Sequence, residues 1–218
     1  MARPRQRPVA PRVSPPDLPS HLEQVSPRRH GDEHRARFTA LAGAVDLAHS
    51  ALEECLFEES AVDGLDLTGA TLIDVDVRDL RAASVSARDT TIRRMRVFGG
   101  RLGTLDLSGA RIAELELRDV RIDYLTLGGA RGEDILVADC AIRSLDVPQA
   151  TLTRVAFDGV SASEVDPRGL RAADVDMRGL DAESFLDVAS LRGVTLTSAQ
   201  VERLAPAFAA AAGIDVQG

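Results

Sequence analysis

Residues 105–124 read LDLSGARIAELELRDVRIDY, and residues 65–84 read LDLTGATLIDVDVRDLRAAS. Both stretches open with Leu-Asp-Leu, place Gly-Ala one residue later and carry Arg-Asp further on. The period behind this echo is five, because the 140 residues from Val45 to Ser184 divide into 28 consecutive pentads whose third residue is apolar in 26 cases. The two exceptions are Gly132 and Pro167.

A step of five fits neither of the common regular elements. An amphipathic helix needs an apolar period of 3.6 residues, and a long half-buried strand needs strict alternation. A fixed step of five with local alternation inside it predicts a short extended piece followed by a turn, repeated many times. Since such a short strand cannot bury its apolar face alone, successive turns of the coil must stack and pair. We therefore predict a β-solenoid.

The repeated unit resembles that of the pentapeptide repeat proteins, whose units centre on Leu or Phe, often with Ala two residues before and Asp or Asn one before. The pentads LDLTG, ATLID, LDLSG and ARIAE match this pattern, although Leu or Val often replaces Ala in the first position. The resemblance implies an all-β fold, a right-handed four-sided parallel β-helix with four pentads in each 20-residue coil. Seven or more such coils are expected over residues 39–196.

The two ends of the chain differ from the repeat. Residues 1–38 hold seven of the ten prolines and eight arginines against four acidic residues, without apolar periodicity, which predicts a disordered tail of net charge +4. Docking of this arm on an acidic surface or on nucleic acid is the alternative. Residues 197–218 are typical of a helix that begins with a Thr197–Gln200 capping box. Its apolar face either caps the open end of the solenoid or makes a homodimer, and consists of Val201, Leu204 and Phe208.

Composition and motifs favour a non-catalytic protein. Cys55 and Cys140 fall on inward positions of their pentads and are predicted to be core thiols. The four histidines lack metal-ligand spacing, and the chain has neither a phosphate-binding loop nor a nucleophile elbow, so we expect no enzyme, metal or cofactor. No apolar run approaches the ~20 residues that span a membrane, and the N-terminus lacks a secretory signal. A cytoplasmic protein without a membrane contact is therefore predicted.

Charge is the remaining feature, with 27 acidic residues against 16 arginines over residues 45–184. A 20-residue coil would stack two sets of carboxylates. We call the first the acidic ladder, and it comprises Asp46, Asp66, Asp106, Asp146 and Asp166. We call the second the acidic corner, and it comprises Glu59, Asp79, Asp119 and Asp139. Each set is either an inherited, solvated feature of the repeat or a surface that presents regular negative charge to a basic partner.

The best-studied proteins that this repeat resembles imitate duplex DNA and act on DNA gyrase. Duplex DNA carries one charge per ~1.7 Å, or about 20 over a rod of roughly 34 Å, whereas residues 45–184 carry a net −11. The prediction is a non-catalytic protein-binding β-solenoid, with a DNA mimic that binds gyrase as its sharper form. The alternative is a scaffolding repeat protein with another protein partner. One tyrosine and a net negative charge disfavour direct nucleic-acid binding.

Overall fold

A computed structural model describes residues 7–216, which form a parallel β-solenoid of about eight turns with one helix at its C-terminal end. The strands in chain order are β1 (Glu23–Gln24), β2 (Asp32–His34), β3 (Ala36–Thr39), β4 (Ala42–Asp46), β5 (Ala51–Glu58), β6 (Ala61–Asp66), β7 (Thr71–Arg78), β8 (Arg81–Ser86), β9 (Thr91–Phe98), β10 (Arg101–Asp106), β11 (Arg111–Ile112), β12 (Leu115–Arg118), β13 (Arg121–Thr126), β14 (Arg131–Ala138), β15 (Ala141–Asp146), β16 (Thr151–Asp158), β17 (Val160–Asp166), β18 (Arg171–Asp176), β19 (Leu180–Phe185) and β20 (Val194–Thr195).

Two sheets run along the solenoid. One contains the eight strands β4, β6, β8, β10, β13, β15, β17 and β19, and the other contains the remaining twelve. Partners in neighbouring coils are twenty residues apart, as in the pairing of Leu105 with both Val85 and Leu125. This register confirms the 20-residue coil that the resemblance to the pentapeptide repeat proteins implies.

The third residues of the pentads form the core, as predicted. One column of them is almost inaccessible to solvent and consists of Leu47, Leu67, Ala87, Leu107, Leu127 and Val147. At Gly132 the third position of the pentad has no side chain, yet a Cβ there would lie 2.5 Å from Ile135 Cδ1 and 3.1 Å from Leu152 Cδ2. The side chains of Ile135 and Leu152 therefore fill this part of the core.

Left-handed backbone turns the corners of the coil. At three of the four corners the fifth residue of most pentads has positive φ, as at Gly69 (68°), Asp74 (53°) and Asp79 (51°), which lie on different corners. Glycine adopts this conformation without a Cβ penalty, and Asp and Asn tolerate it better than most residues. The conformation explains why Gly and Asp recur at pentad ends.

The solenoid begins earlier than the predicted boundary at residue 39. Residues 23–38 contribute β1, β2 and β3, and Ala36 and Phe38 are fully buried, with Phe38 stacked on Phe57 at a ring-centroid distance of 4.5 Å. The first coil has 19 residues, since Phe38 pairs with Phe57, and the register shifts by one between Gly43 and Ala44. That shift hid this coil from the pentad frame.

The segment before β1 also differs from the predicted disordered tail. Residues 7–22 lie extended along the outside of the solenoid and donate backbone hydrogen bonds to it. Residues 1–6 of the predicted tail lie outside the described residues. The alternative that the arm docks on an acidic surface therefore describes residues 7–22 correctly, and the surface belongs to the same chain.

The C-terminal end also departs from the 20-residue period, because Val175 pairs with Val194, nineteen residues on. This coil is therefore one residue shorter than the 20-residue coils before it. A short 3₁₀ helix (Val188–Ser190) and helix α1 (Ser198–Ala211) follow β19, and Thr197 with Gln200 forms the predicted capping box.

Helix α1 packs on the last coil of the solenoid. The Gln200 side chain is buried and its Nε2 donates to the carbonyls of Met177 and Leu180, both at 2.8 Å. Leu204 and Phe208 are half-buried against the core, whereas Val201 is 45% exposed. The helix therefore supplies a donor to the Leu180 carbonyl, which a further coil would otherwise have paired, and the homodimer stays a prediction.

Replacing Leu107 by Asp should abolish the cooperative fold, because the new carboxylate would lie in a core with no polar partner. Ala141→Asp, at an exposed position of β15, adds the same charge and should leave the urea midpoint nearly unchanged. Far-UV circular dichroism during urea titration measures both. A folded Leu107→Asp protein would contradict the assigned core.

Replacing Gln200 by Glu should lower the free energy of unfolding by about 3 kcal/mol at neutral pH, since a carboxylate would face two carbonyl oxygens in place of the amide donor. Glu at this position can still complete the capping box, so the helix start is retained. Glu202→Gln, an exposed change on the same helix, serves as the control in the same urea titration. Equal midpoints for the two variants would show that Gln200 does not anchor the helix.

Candidate interaction surface

The acidic ladder stacks as the 20-residue coil predicts. Asp46 pairs in register with Asp66, and Asp146 pairs with Asp166. Ser86 and Thr126 occupy the two interrupting positions of the column.

Most ladder carboxylates are engaged in local turns. The Oδ1 atom of each accepts a hydrogen bond from the backbone N–H two residues on, at 2.9–3.1 Å, in Asp46, Asp66, Asp106 and Asp166. This is the side-chain cap of an Asx turn, which holds the corner that follows the strand. The ladder therefore contributes to the fold whether or not it binds a partner.

Asp146 differs because residue 148 is proline and has no N–H to donate. Its Oδ2 instead accepts a hydrogen bond from the Tyr124 hydroxyl at 2.6 Å. Tyr124 thus supplies the hydrogen bond to Asp146 that the turn cannot supply.

Arginines and burial further reduce the charge that the ladder presents. Asp46 lies 3.6 Å from Arg29, and Asp106 lies 3.9 Å from Arg88. Asp166 is 2% exposed, and hydrogen bonds from Arg168 hold its pKa below the usual range. The expectation that the ladder carboxylates stand fully exposed is wrong for Asp66, Asp106 and Asp146, which are half-buried, and for Asp166.

The acidic corner has a different environment. Glu59, Asp79, Asp119 and Asp139 are all exposed, with φ between 49° and 55°. Within residues 7–216, only Asp139 of these four is in an ion pair, with Arg118 Nη1 at 3.2 Å. The corner is therefore the predicted set whose carboxylates face solvent.

A basic column runs beside the acidic corner. Arg101 pairs in register with Arg81 on one side and Arg121 on the other, and all three are exposed. They line an open groove of about 920 Å³ together with Asp79. Gly103 also lines it, and a Cβ at this position would lie 2.3 Å from the carbonyl oxygen of Ala83, so only glycine allows this close approach. The acidic corner thus borders a strip of opposite charge.

A third charged column went unnoticed in the sequence. It lies along the corner where long strands such as β5 and β7 bend, at Glu54 and Asp74. Its members, one in each coil, are Glu54, Asp74, Arg94, Glu114, Asp134, Arg154 and Asp174. We call it the arm column, because residues 9–17 lie against it. The signal was present in the sequence as the fifth residue of every fourth pentad, beginning with the second, but the arm that touches it has no repeat pattern.

Two ion pairs join residues in neighbouring coils of the arm column. Arg94 Nη2 lies 2.7 Å from Asp74 Oδ2, and its Nε bonds Oδ1. Arg154 makes the same bidentate contact with Asp134, at 2.7 Å for both bonds. These hydrogen bonds hold the pKa of Asp134 below its usual range, so its carboxylate stays ionised and in place.

An ion cluster covers the side of the solenoid between the arm column and the acidic corner. Asp76 is 1% exposed although it alternates with the core residues Val75 and Val77, and it accepts hydrogen bonds from Arg78 and Arg96 at 2.7–2.9 Å. Burial raises its pKa, but the two arginines outweigh that effect and lower it. The Asp76 carboxylate is therefore paired with arginine rather than presented to solvent.

The remaining candidates for chemistry are held in the core or dispersed. Burial raises the pKa of the Cys55 thiol to about 11 and also raises that of Cys140. Within residues 7–216, no group of three or more His, Cys, Asp or Glu is arranged to hold a metal ion. No helix in this part of the chain is long and apolar enough to cross a membrane.

Comparisons with known proteins give limited matches. No family model matches the sequence, and no curated protein is similar to it. Two solved structures of trypsin-treated variants of QnrB1, described as a plasmid-mediated fluoroquinolone resistance protein, do match. One is 16% identical, covers 91% of this chain and 100% of the other, and has a TM-score of 0.38. The second is 17% identical, covers 86% and 100%, and has a TM-score of 0.23.

The fold agrees with the resemblance that the pentads carry. Pentads with a buried central residue, four to a 20-residue coil, stack in register into two parallel sheets. This architecture is consistent with the pentapeptide repeat proteins that the pentads resemble.

Proposed function

We propose that this chain is a non-catalytic protein-binding β-solenoid that acts in the cytoplasm and meets a basic surface of its partner through the acidic corner. One observation carries the proposal. Glu59, Asp79, Asp119 and Asp139 are exposed in one column of a rigid scaffold, whereas the ladder carboxylates are engaged in turns. Regular exposed charge of this kind, in which only Asp139 of the four is in an ion pair, favours the encounter with a basic surface.

DNA gyrase is the partner that we propose to test first, because the pentapeptide repeat proteins that are best studied act on it. The corner spans four coils, or roughly 19 Å, with four carboxylates. One strand of DNA carries a phosphate per ~3.4 Å, and would place five or six charges over that length. The corner therefore approximates the charge of one strand rather than of a duplex.

A scaffolding role with another protein partner is the second candidate. The basic column of Arg81, Arg101 and Arg121 favours it, since a mixed surface resembles DNA less than a uniformly acidic one. A partner with alternating charges would match this surface better than a groove that binds DNA.

The test compares two charge-matched triple variants. Asp79→Asn, Asp119→Asn and Asp139→Asn should weaken binding to purified DNA gyrase at least tenfold and flatten its salt dependence, because three screened charges are lost. Asn tolerates the left-handed corner, so the fold should persist. Surface plasmon resonance at 50 and 200 mM salt measures binding, and a supercoiling assay with and without a quinolone measures the consequence.

The control variant removes the same charge from the ladder, with Asp66→Asn, Asp106→Asn and Asp146→Asn. Its amide oxygens can still cap the turns, and gyrase affinity should stay within about twofold of native. Loss of affinity only in this control would move the contact surface to the ladder. A native protein that does not bind gyrase at low salt would eliminate gyrase and leave the scaffolding role.

A further inference from the structure

The N-terminal arm contacts the arm column through four backbone amides. The N–H of Val9 donates to Asp174 Oδ1 at 3.1 Å, that of Arg12 to Asp134 Oδ1 at 2.9 Å, and that of Asp17 to Asp74 Oδ1 at 2.9 Å. Between the last two, the N–H and the hydroxyl of Ser14 both donate to Glu114 Oε1. The arm thus runs along the solenoid from its C-terminal towards its N-terminal coils.

The spacing of the donors matches the spacing of the acceptors. Successive donors are three, two and three residues apart, and their acceptors are two, one and two coils apart. The two skipped coils are those where the column carries arginine, Arg94 and Arg154. Every carboxylate from Asp174 to Asp74 therefore accepts an amide of the arm, and neither arginine does.

The length of the arm fits a polyproline II conformation. Eight residues at ~3.1 Å each span roughly 25 Å, and five coils at ~4.8 Å span roughly 24 Å. This conformation makes no internal hydrogen bonds, so its amides are available to an outside acceptor. The arm and the column therefore agree in length as well as in register.

Each donor follows a half-buried apolar residue. Val9, Arg12, Ser14 and Asp17 are exposed, and each is preceded by a residue that is partly buried, namely Pro8, Pro11, Val13 and Pro16. Proline has no backbone N–H to donate, but it favours the extended conformation. Each contact therefore combines one packed apolar residue with one amide donor in the residue that follows it. This pattern is typical of a segment that recognises the arm column.

We propose that the arm column is a binding site for extended, proline-containing peptides, and that residues 8–17 occupy it in place of a partner segment with the same 3-2-3 spacing of amides. The arm's hydrogen bonds lie at the exposed surface, where water competes for both partners, so the arm can exchange. Two of the four acceptors, Asp74 and Asp134, are held in place by Arg94 and Arg154, so this part of the site does not depend on the arm for its geometry. This site is separate from the acidic corner and does not depend on gyrase.

Fluorescence anisotropy with a labelled peptide of residues 7–18 tests the proposal on the full chain. Changing Pro8, Pro11 and Pro16 to Gly should raise the conformational entropy of the undocked arm and so weaken its docking on the column. The arm column itself is unchanged by these substitutions. The peptide should bind this variant saturably and at least tenfold more tightly than the native chain, whose own arm competes at high effective concentration.

Two controls separate register from charge. In the glycine variant, Glu114→Ala with Asp174→Ala should weaken peptide binding at least tenfold, whereas Asp63→Ala with Glu183→Ala removes the same charge elsewhere and should not. A peptide with one Ala inserted between Arg12 and Val13 has 3-3-3 spacing and should bind at least tenfold more weakly. Equal binding of the inserted peptide would overturn the proposal.

Hydrogen exchange on the native chain gives an independent readout. The amides of Val9, Arg12, Ser14 and Asp17 should exchange more slowly than that of Ala10, by NMR. In the glycine variant the same four amides should exchange freely. Free exchange there without peptide binding would overturn the proposal, and persistent protection there would refute the role of the prolines.

Discussion

In-register hydrogen bonding between coils determines every surface of this solenoid. Because residue i pairs with residue i + 20, each outward side chain lies directly above its counterpart in the previous coil, as Asp146 does beside Asp166. Like charges opposite each other destabilise a sheet, so every charged column needs a means of reducing its repulsion. The three acidic columns of this chain use three different means.

In the ladder, the carboxylates accept turn amides and hydrogen bonds from Arg168 or Tyr124. In the arm column, two arginines interrupt the run of acids, and the arm supplies four amides to the carboxylates that remain. In the acidic corner, Gly99 and Gly159 interrupt the run of acids, Arg118 pairs with Asp139, and the other three carboxylates are exposed. The corner leaves the most charge unpaired, and for that reason it is the surface we assign to a basic partner.

The same corners limit what acidic residues can reveal about function. Asp79, Asp119 and Asp139 sit in left-handed backbone, where Asp is one of the few tolerated residues, so the fold alone accounts for part of their occurrence. The capped turns account for Asp66 and Asp106 in the same way. An acidic residue in a pentad therefore indicates a binding surface only where its carboxylate is neither buried nor hydrogen-bonded.

The period of five was sufficient to predict a β-solenoid, and the resemblance to the pentapeptide repeat proteins implied the 20-residue coil and its stacked columns. The local pattern at Thr197 predicted the capping box. The pentad frame failed at Phe38, since a 19-residue coil and a bulge at Gly43 shift it by one residue. It also failed for the arm, whose prolines resemble those of a disordered tail. Whether such a segment is ordered depends on distant acceptors such as Asp134, which local composition does not reveal.

The arm column and the acidic corner border the same side of the solenoid, since Asp74 and Asp79 are one pentad apart. On the side between them, the Asp76 carboxylate is paired with Arg78 and Arg96 and is not available to a charged partner. A partner that spans this side from corner to corner must displace the arm. A partner that lies across the acidic corner and the groove of Arg81 and Arg101 leaves the arm in place. Hydrogen exchange at Arg12 and Ser14 in a complex would therefore distinguish the two orientations, because only the first exposes those amides.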